Sequence, residues 1–170
     1  MNSMTFSHYT AGPFTFTPTR IYDQAQSSLF KPHGLWFSVD GDDDLPAWCR
    51  CKDFALERLR VRTPIVLTDQ TRILHVATTA MLDAFTATYL DPGPYGWINW
   101  PRVAEQYDGI IIAPYQWCRR NTSWYYGWDC ASGCVWHLQG VRCGPADDTH
   151  TPLGGDAACD RSEKEETSHV

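Results

Sequence analysis

The sequence predicts an α+β domain, compact and with a few short helices. Short β-prone runs bounded by Gly, Pro, Asn and Asp alternate irregularly with two or three segments of helical period, and that mixed order fits neither a bundle nor a sandwich. At 170 residues and 43% hydrophobic composition, the chain suits one core. A domain of this size buries roughly 70% of the surface its unfolded chain exposes. The third observation is a change of composition at Gly144, after which seven acids face only Arg161 and Lys164 and the apolar periodicity ends. Residues 1–143 are therefore expected to form the folded domain, and 144–170 an acidic, disordered tail.

Taken in order, Thr5 to Thr10 alternates and is closed by Ala11-Gly12-Pro13, which marks a first strand and a turn. Phe14 to Tyr22, interrupted by Pro18, reads as an edge or irregular strand, and Asp23 to Lys31 as a loop. The apolar run that begins at Lys31-Pro32 and ends at Val39 is a central strand, and the acidic turn Asp40 to Asp44 leads to a helix from Leu45 to Phe54 with Asp44 as its cap. Leu59 to Leu67 and Ile73 to Val76 are strands either side of an Asp69-Gln70 turn. Thr78 to Tyr89 carries Met81, Leu82, Phe85 and Tyr89 on one helical stripe, broken by Pro92-Gly93-Pro94. Asn99 caps a short helix through Tyr107 with Pro101 in its first turn, where a missing N–H costs nothing. Asp108-Gly109 turns into the buried strand Ile110 to Ala113, Tyr115 to Trp128 is a polar aromatic segment, and Gly133 to Leu138 is a last strand.

Residues 1–143 carry nearly equal numbers of acids and bases, which argues against a protein that grips duplex nucleic acid through a broad basic face. Arg58, Arg60 and Arg62 form only a local strip. No run reaches the ~18 apolar residues of a membrane span, and the opening residues lack the order of a signal peptide, so a cytoplasmic protein without a membrane partner is expected. Seven cysteines are an odd number at spacings that match no disulfide scaffold, which favours mainly reduced thiols. A zinc site drawn from Cys49, Cys51, Cys130, Cys134 and Cys143 is the alternative, but the regular CxxC pairs of zinc ribbons are missing and no metal is expected. Aromatic content reaches 14%, with six of eight tryptophans between Trp97 and Trp136. Such density serves a core or a cleft that stacks flat rings, and composition does not choose between them.

Three places carry candidate chemistry. His8-Tyr9-Thr10 closes the first strand, where a histidine beside a hydroxyl can hydrogen-bond a ribose or simply satisfy its own fold. Gly34-Leu35-Trp36-Phe37-Ser38 is followed by Trp48-Cys49, so that two indoles either pack the core or sandwich a planar ring near the unencumbered Gly34 backbone. Tyr107 to Ile112 leads through an aromatic loop to Trp128-Asp129-Cys130-Ala131-Ser132, where Asp129 and Ser132 stand at the start of a strand.

Together, in this order, the three places resemble the histidine-containing branch of the ADP-ribosyltransferases, which includes the poly(ADP-ribose) polymerases and the DarT-like toxins. His8-Tyr9-Thr10 looks like that branch's His, small residue and Ser/Thr; Gly34 to Ser38 and Ala47-Trp48-Cys49 are similar to its Gly-x-Tyr-Phe-Ala/Ser and Asn-Tyr-Cys elements; and Tyr107 to Ile111 matches its Tyr-Asp-Gly-Ile-Ile strand. The resemblance spans residues 6 to about 142. It implies a split β-sheet core and a cleft for NAD as substrate, with His8 on the nicotinamide ribose, the Tyr9 backbone near the carboxamide, Thr10 on the adenine-side ribose, and Trp36 with Trp48 around the nicotinamide ring. Gly34 and Ser38 belong to the same cofactor-binding set, and Lys31 is a candidate for the pyrophosphate.

The catalytic Glu that such enzymes place at the start of the last strand falls here on Ser132, with Asp129 the nearest acid. Three outcomes follow: Asp129 takes the role, the enzyme transfers a single unit without the acid, or the fold survives without catalysis. The expected activity is mono-ADP-ribosyl transfer to a macromolecule by a toxin, defence or phage effector, with His8, Asp129 and Ser132 as catalytic candidates. A noncatalytic nucleotide- or ADP-ribose-binding module and an NAD glycohydrolase are the alternatives. Tyr115, Arg119 and Arg120, in a loop rich in rings and cations, are candidates for the acceptor, either single-stranded nucleic acid or protein.

Overall fold

A computed structural model of the chain describes residues 4–26, 31–93 and 95–149. The fold is a mixed α+β arrangement around one open sheet. Its strands are β1 (Phe6–Thr10), β2 (Leu35–Val39), β3 (Val61–Leu67), β4 (Ile73–Val76), β5 (Gly109–Ile112), β6 (Ser132–Val135), β7 (Val141–Cys143) and β8 (Asp147–Asp148). They lie in the order β4-β5-β6-β2-β1-β3-β7, with β8 also paired to β3. Only β4 and β5 run parallel; α2 (Thr79–Tyr89) and α3 (Trp100–Ala104) lie in the long connection between them. The remaining helix, α1 (Leu45–Lys52), follows β2.

Local chemistry explains most boundaries. The Asp44 carboxylate accepts from Ala47 N at 2.7 Å and caps α1, Thr78 accepts from Met81 N to cap α2, and Asn99 accepts from Arg102 N at 3.0 Å to cap α3. The predicted stripe on α2 needs one correction: Leu82, Phe85 and Tyr89 are buried, while Met81 is 42% exposed and faces away. Helix α3 stops at Ala104 rather than reaching Tyr107, and Phe14 to Ile21 forms no named strand beyond a single bridge between Ile21 and His137.

Strand β6 ends at Val135, three residues short of the prediction. Its continuation is captured by other partners: Trp136 N donates to Asp108 O, Tyr22 N donates to Trp136 O, and Leu138 N donates to Arg20 O. Beyond the expected boundary at 143, Gly144 N donates to Pro64 O, β8 pairs with Val61 and Arg62, and Thr149 bonds the Leu59 and Arg60 carbonyls. Residues 144–149 thus extend the sheet, because β3 offers them an unpaired edge. The rest of the expected tail, 150–170, lies outside the described residues.

The core sits on the β4-β5-β6-β2 side. Every residue of β5 and β6 is buried, and Trp100, Trp124, Trp128 and Trp136 are each no more than 1% exposed. These rings meet edge to face, as in Trp100 against Trp124 and Trp124 against Phe85. Most of the tryptophan cluster is therefore packing. Cys49, Cys118, Cys130, Cys134 and Cys143 are free thiols, whereas Cys51 is in a disulfide, a departure from the mainly reduced set at that position. Among the described residues no helix is long and apolar enough to cross a membrane.

Candidate functional site

Strands β1 and β2 pair over two residues only. Phe6 pairs with Val39 and Ser7 with Ser38, and there the pairing stops, although β1 stays paired with β3 as far as Thr10 and β2 stays paired with β6 as far as Leu35. Within the one sheet, the β1–β2 ladder therefore ends after two pairs. The paired end is stapled by a partly buried network in which Ser7 Oγ donates to Asp40 at 3.0 Å and accepts from Arg62 Nε at 2.8 Å, while Arg62 and Asp40 form an ion pair at 3.1 Å.

His8 is the first residue beyond the last pair. Its Nδ1 stands 2.6 Å from the Trp36 carbonyl oxygen, replacing a ladder bond that the parted backbones no longer make. A carbonyl only accepts, so Nδ1 carries the proton. Burial pushes the imidazole below its ordinary pKa, against a smaller opposing effect of the Trp36 bond. His8 is consequently neutral near pH 7, with Nε2 as an acceptor. Its ring also packs on Phe14 at 4.4 Å.

Around Trp36 the other groups gather. The Lys31 ammonium lies 5.1 Å from the Trp36 ring centroid, and Trp36 meets Trp128 edge to face at 4.8 Å. Next to Trp128 in the chain is Asp129, half-buried, whose carboxyl is raised above its ordinary pKa by burial and pulled partly back by the Lys31 charge. His8, Lys31, Trp36 and Asp129 thus belong to one neighbourhood beyond the last β1–β2 pair. Tyr9, opposite Arg62 on β3, has its phenol raised by burial and by the Asp40 charge.

Other predicted site residues are already engaged. The Thr10 hydroxyl donates to Gly12 O at 2.7 Å and closes the turn after β1. Gly34 is needed for close packing of β2 on β6, since a Cβ there would stand 2.6 Å from both Cys134 Sγ and Val135 O; the clearance expected for a ligand is filled by protein. Ser38 Oγ accepts from Leu45 N at 2.8 Å and fixes the start of α1. Trp48 packs edge to face on Phe54 at 5.7 Å, so each indole of the expected sandwich has its own neighbour. Buried Ser132 donates its hydroxyl to Cys130 O at 3.1 Å.

In the acceptor loop, Tyr115 is 7% exposed, stacked on Tyr125 at 5.4 Å, and its phenol is pushed up to about 12, chiefly by burial. Arg119 makes two hydrogen bonds to Asp83, at 2.8 and 2.9 Å. Arg120 is exposed, as are Trp117 and Tyr126 at 44% and 70%. Two residues of the neighbourhood were missed as site candidates. Trp128 had a sequence signal in its place beside Asp129, whereas Phe14 carried none, because its contact with His8 depends on how the chain returns after the Gly12 turn. Among the described residues, no group of three or more His, Cys, Asp and Glu is placed to hold a metal ion.

Compared with protein-family models, curated proteins and solved structures, the chain matches none.

Proposed function

We propose that the chain is a mono-ADP-ribosyltransferase that moves ADP-ribose from NAD to a macromolecular acceptor and releases nicotinamide. The observation that supports this reading is the end of β1–β2 pairing before His8, beside which a neutral imidazole, an indole, a cation and a half-buried carboxyl lie in one neighbourhood. The His8 Nε2 lone pair accepts from a hydroxyl of the nicotinamide ribose, and Trp36 offers an apolar wall to the nicotinamide. Lys31 attracts the pyrophosphate, which would draw it from Trp36 and Asp129.

In the reaction, the bond between ribose C1′ and the nicotinamide nitrogen breaks and its electron pair leaves with nicotinamide. The oxocarbenium-like centre is then attacked by an acceptor nucleophile, which loses its proton as the new C1′ bond forms. A carboxylate beside the developing positive charge lowers the barrier, and Asp129 is the acid assigned to it. Partial burial makes that charge more effective than one in water.

One observation favours a second reading, a noncatalytic binder of nucleotides or ADP-ribose. The place where the resemblance puts a catalytic Glu holds Ser132, whose hydroxyl is buried and bonded to Cys130. Incubation of the pure protein with labelled NAD and, separately, single-stranded DNA, RNA and cell-extract protein distinguishes the readings. Label in one pool, absent with His8→Ala, establishes transfer and names the acceptor class. Nicotinamide release without label means hydrolysis, and NAD binding without either product means a binding module.

A further inference from the structure

The far end of β6 has its own constellation, independent of the NAD reading. Asp108, the residue before β5, is 9% exposed and accepts four hydrogen bonds: from Arg72 N, Nε and Nη2 at 2.9, 3.2 and 2.7 Å, and from His137 Nδ1 at 2.9 Å. His137 is fixed as well at its backbone N–H, which donates to Asp108 O at 3.3 Å. With Nδ1 directed to the carboxylate, the remaining ring nitrogen, Nε2, belongs to a side chain that is 37% exposed.

A cavity of about 480 Å³ opens there, lined by Arg20, Gln70, Thr71, Asp108, His137 and Gln139 among others. That volume is within the range of about 300–1,000 Å³ typical of small-molecule sites. Its walls are built by backbone. Leu138 N donates to Arg20 O and Tyr22 N to Trp136 O, with Ile21 bridged to His137, so the Arg20 segment is laid against the His137 segment. Opposite, Thr68 N and the hydroxyls of Thr68 and Thr71 all donate to Gly140 O, and the Thr71 hydroxyl fills the place a Cβ on Gly140 would take. The Arg20 guanidinium lies over the Tyr22 ring at 4.4 Å, which orients its plane.

Charge then decides what this cavity takes. Among the described residues Asp108 is the only acid in its lining, and Arg72 neutralises that acid from outside the lining. What remains is the Arg20 guanidinium, two carboxamides that can donate, and His137 Nε2, which accepts while Nδ1 donates to Asp108; the set has no uncompensated negative charge. We infer that this cavity is a second ligand site for a phosphate-class anion, with Arg20 as its charge partner and His137, its Nδ1 turned to Asp108, presenting Nε2 as an acceptor to a protonated phosphate oxygen.

The test is calorimetric and NMR titration of the full chain with inorganic phosphate and, separately, adenosine monophosphate, which distinguish a free anion from a phosphomonoester. Saturable binding of either probe, with displacement of the His137 ring resonances, is expected. Arg20→Gln, at an exposed position that leaves the fold intact, should weaken it by about tenfold or more, and His137→Gln should weaken it too. His8→Ala should leave it unchanged, which separates this site from the β1–β2 cleft. Absence of saturable binding by both probes at millimolar concentration, or binding that survives both Arg20→Gln and His137→Gln, overturns the assignment.

Discussion

Two half-buried or buried aspartates stand at opposite ends of the antiparallel β5–β6 pair, and the protein treats them in opposite ways. Asp108, before β5, would be raised by burial, but the bonds from Arg72 and His137 outweigh burial and hold it at about 2. Asp129, before β6, is raised by burial, with Lys31 the opposing charge. The first acid has exchanged water for a full set of donors, so its charge ties Arg72 and His137 to the sheet. The second has given up water for less. A carboxyl held half-buried against its ordinary pKa marks a place where folding is not the only constraint, and it lies on the Lys31 and Trp36 side.

The contrast is broken most directly by Asp108→Asn. Asp108 is buried but its partners Arg72 and His137 are 55% and 37% exposed, so the loss should be about 2 kcal/mol, the scale for hydrogen bonds to a charged group, and lower the melting temperature by roughly 4–8 °C. Thermal melts across pH sharpen the point. The Asp108 contribution is present above the ordinary carboxylate value of 3.8 and is lost as pH falls through about 2, so the stability gap between wild type and Asp108→Asn should narrow below pH 3.8. A gap that persists undiminished at low pH would assign the loss to packing.

At the other end the larger effect is on chemistry. His8→Ala should reduce transfer by about 100-fold or more, equivalent to about 2.7 kcal/mol in the transition state, and unchanged activity would move the site elsewhere. Asp129→Asn should cut the rate by over about tenfold, or about 1.4 kcal/mol. It should not lower the melting temperature at pH 7. An acid whose folded pKa is raised favours the fold below its ordinary value, and that contribution is lost as pH rises through the raised value, so the neutral amide removes a cost. If Asp129→Asn melts well below wild type and retains full activity, the two aspartates are alike and both structural.

The sequence made much of this legible where the signal was local. Caps at Asp44, Thr78 and Asn99, the strand at Ile73–Val76 and the buried Gly109–Ile112 run depend on neighbours a few residues away, and they stand nearly as read. The site was legible as a set of motifs and less so as side-chain geometry. Whether Trp36 meets Trp48 or Trp128, and whether the Gly34 clearance faces a ligand or Cys134, is fixed by which strand lies beside β2. That neighbour, β6, is about a hundred residues away in sequence. Asp108 escaped notice for the same reason: it was read as one half of an Asp-Gly turn, while its partners come from Arg72 and His137, each about thirty residues away.

The smallest expected effect tests whether the acceptor loop belongs to the Asp129 end at all. Arg119 and Arg120 are adjacent in sequence but differ in the structure: the first is paired to Asp83 on α2, the second is exposed, near enough to Tyr115 for its charge to act on the buried phenol. An exposed ion pair contributes little, so Arg119→Ala should leave the melting temperature within about 1 °C of wild type and transfer unchanged. Arg120→Ala should also leave stability alone, yet raise the KM for the acceptor severalfold without changing the KM for NAD, because its charge is exposed in a loop whose Trp117 and Tyr126 are exposed too. Equal, negligible effects of both substitutions would place acceptor recognition outside this loop. An increased KM for NAD with Arg120→Ala would instead bring the loop into the cleft.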